Sequence, residues 1–173
     1  MIEPLPSASA PHAPVPHAPE RHAPAAAIRA LEAELLAMPP VAAMDPRIVE
    51  AGDGRLRLRA PLAANVNDKG CAFGGSLTSL MTLAGWGLIV LRLAEAGLEA
   101  EVYVADSEIR YRAPLCEDLE ACAELAEGES WDVFLDTLRS RGRARLAIRA
   151  TVALAEGGLA TESRSRYAAM LRG

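Results

Sequence analysis

Residues 65–97 read NVNDKGCAFGGSLTSLMTLAGWGLIVLRLAEAG, a polar loop set directly against a long, mostly apolar run. A segment this apolar is destined either for a bilayer or for the interior of a fold. Thr78, Ser79, Thr82, two glycines and Arg92 interrupt residues 77–93, and no second run of that length follows. Both features favour a helix enclosed by the rest of the chain over a membrane span. Gly97 stands where such a helix would be capped at its C-terminal end.

Enclosure requires elements with one dry face, and the flanking sequence supplies them. Residues 47–51 and 55–60 flank Gly52-Asp53-Gly54, a hairpin turn, and RLRLRA at 55–60 alternates charged with apolar side chains. Residues 102–112, 118–126 and 143–154 alternate in the same way, and a last strand is expected within 159–170. Helices are expected over 27–38, where Ile28, Leu31, Leu35 and Leu36 recur before Pro39-Pro40 stops them, and over 130–142, capped by Ser130 and ended by Gly142. The expected class is α+β, with about five or six antiparallel strands curled around one central helix.

With 173 residues, 51% of them hydrophobic, the chain has material for one domain with a real core, expected over 27–173. Residues 1–26 are rich in Pro and Ala and repeat His-Ala-Pro, a composition expected to form a disordered, partly polyproline tail. The tail lacks the basic and apolar regions of a signal peptide, so a cytoplasmic protein is the expectation. His12, His17 and His22 are the only histidines, so the folded part is expected to do its chemistry without one, and no metal site is expected there. A net charge of −5 disfavours wholesale nucleic-acid binding. Cys71, Cys116 and Cys122 fit neither a disulfide framework nor a zinc spacing, and Cys116 and Cys122 read as buried or incidental thiols.

The polar loop carries the chemistry. Gly74 and Gly75 at a helix start let a ligand approach the backbone, where free N–H groups bear partial positive charge. An oxygen that gains negative charge during a reaction would be stabilised there. The spacing Asn67, Gly70, Phe73-Gly74-Gly75 is similar to the loop of hotdog thioesterases, in which Asn, Gly and His-Gly-Gly stand in that order. NVNDKG, FGGSL and LAGWG, with DSEIRYRAPL further on, resemble more closely the thioesterase-like C-terminal domain family of YiiD, over roughly residues 28–171. Cys71 departs from that pattern, which has Thr there.

The resemblance implies the hotdog fold, a homodimer with its active sites between subunits, and a substrate carried on the phosphopantetheine of acyl carrier protein or coenzyme A, with no further cofactor. It also implies a decarboxylase of malonyl-acyl carrier protein that primes fatty acid synthesis, with an active-site Asn. In the ordinary hotdog hydrolase a carboxylate follows the second glycine by seven residues; Thr82 holds that place here, and Phe73 replaces the histidine. Hydrolysis needs a group to deprotonate water, whereas loss of carbon dioxide from a malonyl thioester needs only donors for the enolate oxygen.

The expected catalytic set is therefore Asn67, Gly75, Ser76 and Thr82, with Asn65, Asp68, Phe73, Gly74, Arg143 and Arg145 binding substrate. Asn65 and Asn67 also suit Asx turns, and Asp68 suits a turn or cap. Asp106 is expected on a wet strand face with Glu108, Arg110 and Arg112. Arg143, Arg145 and Arg149 share one strand face, which would meet an acidic carrier or the phosphates of coenzyme A, or simply water. Hydrolysis of acyl thioesters and a non-catalytic acyl-binding module are the alternatives.

Overall fold

A computed structural model describes residues 24–172. The tail expected over 1–26, with its histidines, lies almost wholly outside the described residues.

Helix α1 (Ala25–Ala37) ends before Pro39, as the sequence predicts, but the two prolines then open a second short helix, α2 (Pro39–Ala42). The reason is positional: a proline lacks only an N–H that the first turn of a helix leaves unused. Strands β1 (Arg47–Gly52) and β2 (Arg55–Ala60) form the expected hairpin, turning at Asp53 and Gly54, both at positive φ. A single turn, α3 (Leu62–Asn65), leads into the polar loop, and α4 (Gly74–Glu95) is the long apolar helix. Then follow β3 (Ala100–Tyr111), β4 (Leu119–Leu125), α5 (Trp131–Arg141), β5 (Arg143–Ala153) and β6 (Leu159–Leu171).

The strands form one six-stranded antiparallel sheet in the order β1-β2-β4-β5-β6-β3. Its concave face wraps α4, whose Leu77, Leu80, Met81, Ala84, Leu88 and Ile89 are buried against Leu56, Leu58, Ala121, Ala123, Leu146, Ile148 and Val152. This is the hotdog arrangement. Each fully buried Leu or Ile contributes about 1.5–3 kcal/mol, so the alternation in β2, β4 and β5 is what holds the wrap in register. Helix α4 is long and apolar enough to cross a bilayer, yet it is a core helix, with 56% of its most apolar window buried.

Two details fix the helix on the sheet. At its end, Gly97 adopts φ +65° while Leu98 N–H returns to the Leu93 carbonyl, closing the C-terminus as expected. Midway, Gly85 admits the ring of Tyr167, which is 1% exposed; a Cβ at Gly85 would overlap the tyrosine hydroxyl.

Strand β3 is at one edge of the sheet, opposite β1. Both its faces are exposed over most of its length, and Val104, which points to the α4 side, is 47% exposed. On α4 itself, Thr82, Leu83, Trp86 and Val90 are only partly covered.

Candidate active site

The loop before α4 is a small hairpin of its own. Val66 bridges Ala72, Phe73 N–H donates to Asn65 O at 2.7 Å, and Ala72 N–H donates to Leu115 O at 2.6 Å. Gly70, at φ +79°, makes the reversal that a side chain would resist.

Asn67 organises this hairpin. Its Oδ1 accepts from the N–H groups of Lys69 (2.8 Å) and Cys71 (3.2 Å), and its Nδ2 donates to Ala72 O at 3.3 Å. The Asx-turn role weighed from the sequence is thus present, and one Nδ2 hydrogen is left for another acceptor. Asn65 is 3% exposed, and its Nδ2 donates to Met44 O and Pro61 O, which ties α2 and α3 to the loop. Its Oδ1 has no partner among the described residues. Asp68 projects into water beside Lys69 Nζ at 2.9 Å, its side chain 78% exposed.

The start of α4 has no side-chain cap. Phe73 occupies the cap position and contributes no side-chain hydrogen bond, so the first-turn amides of Gly74, Gly75 and Ser76 have no capping group. The Phe73 ring lies over Gly75, where a Cβ would overlap it, and is 56% exposed. Gly75, Ser79 and Thr82 share one helical stripe, with Ser76 beside it. The hydroxyls of Ser76 and Thr82 form no hydrogen bond within the described part of the protein, while Thr82 O accepts from Tyr167.

Two residues that the sequence reading passed over complete the geometry. Tyr111, the last residue of β3, donates its hydroxyl proton to Gly74 O at 3.0 Å, leaving the Thr78 hydroxyl to donate to the tyrosine oxygen at 2.6 Å. Their signal was the alternation in RYR: if Arg110 and Arg112 face water, Tyr111 faces the helix.

The cysteines require a correction. Cys71 and Cys116 are joined by a disulfide across 45 residues of sequence, with Cα atoms 4.2 Å apart, and Cys116 is exposed rather than buried. Spacing could not show it, because the partners meet only when the segment after β3 folds back over the loop. Cys122 remains a free thiol on β4, with its pKa pushed up by burial.

The other charged candidates lie apart from this cluster. Asp106 is on the outer face, bonded to Arg166 Nε at 2.8 Å, which holds its carboxyl below the usual range. Arg143 and Arg145 are exposed on the outer face at the far end of β5, in register through Met170 and Ala168 with Glu101 and Tyr103 of β3. Val152, at the other end of β5, is in register with Thr161 and hence with Tyr111. Within this chain about 23–30 Å of strand thus separates these arginines from the Tyr111 end that adjoins the start of α4.

The same architecture recurs in solved structures. A protein of unknown function from Chlorobaculum tepidum TLS is 25% identical, with a TM-score of 0.77 over 83% of this chain and 94% of that one. A protein from Shewanella oneidensis described as a "putative thioesterase" is 24% identical, with a TM-score of 0.74 over 85% of this chain and 99% of that one. A "probable thioesterase" from Pseudomonas aeruginosa is 23% identical, with a TM-score of 0.70 over 85% and 95%. A family model described as "Putative thioesterase (yiiD_Cterm)" matches residues 28–171, which takes in the loop, the wrapped helix and every strand. The chain therefore belongs to the YiiD_C family, within the hotdog-fold thioesterase superfamily.

Proposed function

We propose that the protein is an acyl-thioester-processing enzyme that decarboxylates a malonyl thioester, on acyl carrier protein or coenzyme A, to the acetyl thioester that primes fatty acid synthesis. The observation that carries this reading is the uncapped start of α4 in a neighbourhood that, among the described residues, holds no water-activating base. No Asp or Glu lies between Ser76 and Ala94, and Asp68 and Asp106 are turned to solvent and to Arg166.

In the proposed reaction the thioester oxygen rests against the amides of Gly75 and Ser76. The bond between the malonyl carboxylate and the adjacent carbon breaks, carbon dioxide leaves, and the electron pair becomes an enolate with its charge on that oxygen. Protonation of the carbon by water or a nearby hydroxyl gives the acetyl thioester. The remaining Nδ2 hydrogen of Asn67 and the hydroxyls of Ser76 and Thr82 are the assisting donors. Removing one such donor typically costs a factor of about 100–1,000.

The working unit in this proposal is a homodimer. An exposed edge strand as long as β3 invites pairing, and a second copy would cover both it and the Leu83, Trp86 and Val90 stripe. Antiparallel β3 pairing would bring the partner's Ala100 end, with its Arg143 and Arg145, toward the Tyr111 end that adjoins the site. That gives the two arginines a route to the carrier or to coenzyme A phosphates which a single subunit does not offer.

Hydrolysis of acyl thioesters is the second reading, favoured by the family description alone; it would need a base delivered across the dimer interface. Malonyl, acetyl and longer acyl thioesters separate the two when carbon dioxide and free thiol are followed independently. Carbon dioxide without thiol supports decarboxylation. Thiol released from several acyl groups overturns it, and tight binding with neither product marks a non-catalytic acyl-binding module.

A further inference from the structure

The disulfide is placed where a crosslink has a local consequence. Cys71 closes the Asn67 hairpin: its N–H donates to Asn67 Oδ1 and its carbonyl accepts from Asn67 N–H at 2.7 Å. Cys116 belongs to the segment joining β3 to β4, whose Leu115 is buried while Cys116 itself is exposed. Besides the sulfur bridge, the one backbone bond between loop and segment among the described residues is Ala72 N–H to Leu115 O. The bridge ties no strand of the sheet and no residue of α4 directly, so what it anchors is the loop that carries Asn67.

We infer that Cys71 and Cys116 are a reversible redox modification site that sets the order of the substrate loop. Oxidised, the pair holds residues 67–72 against the start of α4; reduced, it lets them fray. The reactant is a protein or small-molecule dithiol, or two molecules of a monothiol such as glutathione. Its thiolate attacks the exposed Cys116 sulfur, and the Cys71 thiolate leaves and takes a proton. A second thiol, on the same dithiol or on a second glutathione, then attacks the reductant's sulfur in the mixed disulfide, releasing Cys116. Two electrons and two protons pass to the protein, and the reductant leaves as its disulfide. Re-oxidation by a disulfide such as oxidised glutathione runs the same steps backwards. Cys122 takes no part: burial raises its pKa and leaves little thiolate.

The test uses the full chain equilibrated in reduced and oxidised glutathione at graded ratios, with intact mass after thiol alkylation, amide hydrogen exchange and malonyl-thioester turnover followed together. Two alkylatable thiols should appear on reduction and disappear on oxidation. Exchange at residues 67–72 should speed up by roughly tenfold or more on reduction while that of α4 beyond its first turn stays put. Cys71→Ser and Cys116→Ser should each exchange like the reduced protein at every ratio. Turnover should fall by about tenfold in the reduced form, since loop disorder misplaces the donors. The inference rests on the loop, so its failure is distinct from that of the proposed reaction. Three thiols under all conditions, or equal exchange in both states, overturns the switch whatever the activity. Redox-dependent exchange with no malonyl turnover in either state leaves the switch standing and removes the reaction.

Discussion

The Tyr167 hydroxyl donates to the main-chain carbonyl of Thr82 at 2.9 Å, through the gap left by Gly85 one turn on. This bond ties the inner face of β6 to α4 beside a proposed assisting hydroxyl. Replacing Tyr167 by Phe keeps the ring and removes one buried bond, so about 1 kcal/mol of stability should go, lowering Tm by roughly 2–4 °C. Gly85→Ala forces a methyl into the hydroxyl and should cost about 1–3 kcal/mol. Thermal melts of both variants check the ranking; a Gly85→Ala protein as stable as the parent would contradict the packing.

The same tyrosine gives the fold a limit at high pH. Burial raises the folded pKa of Tyr167 above its ordinary value of 10.0. A raised folded pKa means that the contribution is complete below the unfolded value and is lost as pH climbs through the folded one. Denaturant midpoints should therefore be insensitive to this group up to about pH 10 and fall above it. Tyr167→Phe should flatten that fall, whereas Tyr103→Phe should leave most of it. Tyr103 is also shifted upward, by its bond to Glu101, but it is open to water.

Asn67 has two functions that substitution can separate. Asn67→Ala removes both Oδ1 acceptors of the hairpin and the spare donor, and should abolish turnover without unfolding the domain. Asn67→Asp keeps acceptors for Lys69 and Cys71 N–H while removing the donor. If the donor assists the enolate, the Asp variant should lose a factor of about 100 or more while its loop exchange stays near that of the parent. Full turnover in the Asp variant would leave Asn67 a loop-former only.

The wrapped helix and its strands were legible in the sequence because burial leaves a pattern: every second residue in β2, β4 and β5, and a broad apolar face in α4, where ten of 22 residues are buried. The Gly74-Gly75 junction was legible because backbone freedom is a property of residue type. What stayed hidden depended on contacts distant along the chain. Tyr111 reaching Gly74 and Cys71 meeting Cys116 are set by where β3 and its following segment pass the loop, whereas the Asx turn of Asn67, a local contact, could be read from residue type. The short helix at Pro39 was missed for a local reason, since prolines that end one helix also suit the first turn of the next.

Val104 tests the proposed dimer. It is half exposed on the α4 side of an edge strand, a poor place for a Val unless another surface covers it. Val104→Glu should leave the monomer's stability within about 0.5 kcal/mol, because the side chain already reaches water. It should convert a dimer to a monomer in sedimentation and, with the shared site broken, lower turnover by at least about tenfold. A parent protein that sediments as a monomer while turning over would remove the shared site.

Gly75 is the sharpest probe of the oxyanion reading. An added methyl overlaps only the exposed Phe73 ring, which can swing away, and alanine favours a helix over glycine by about 1 kcal/mol. Gly75→Ala should therefore fold as well as the parent or better. The methyl, however, stands on the approach to the first-turn amides, so turnover should fall by about 100-fold. Adding Phe73→Ala relieves the overlap but keeps the methyl. A double variant as slow as Gly75→Ala assigns the loss to the blocked amides, and recovery in the double variant assigns it to the displaced ring. Unimpaired turnover in Gly75→Ala alone would mean that the thioester oxygen binds elsewhere.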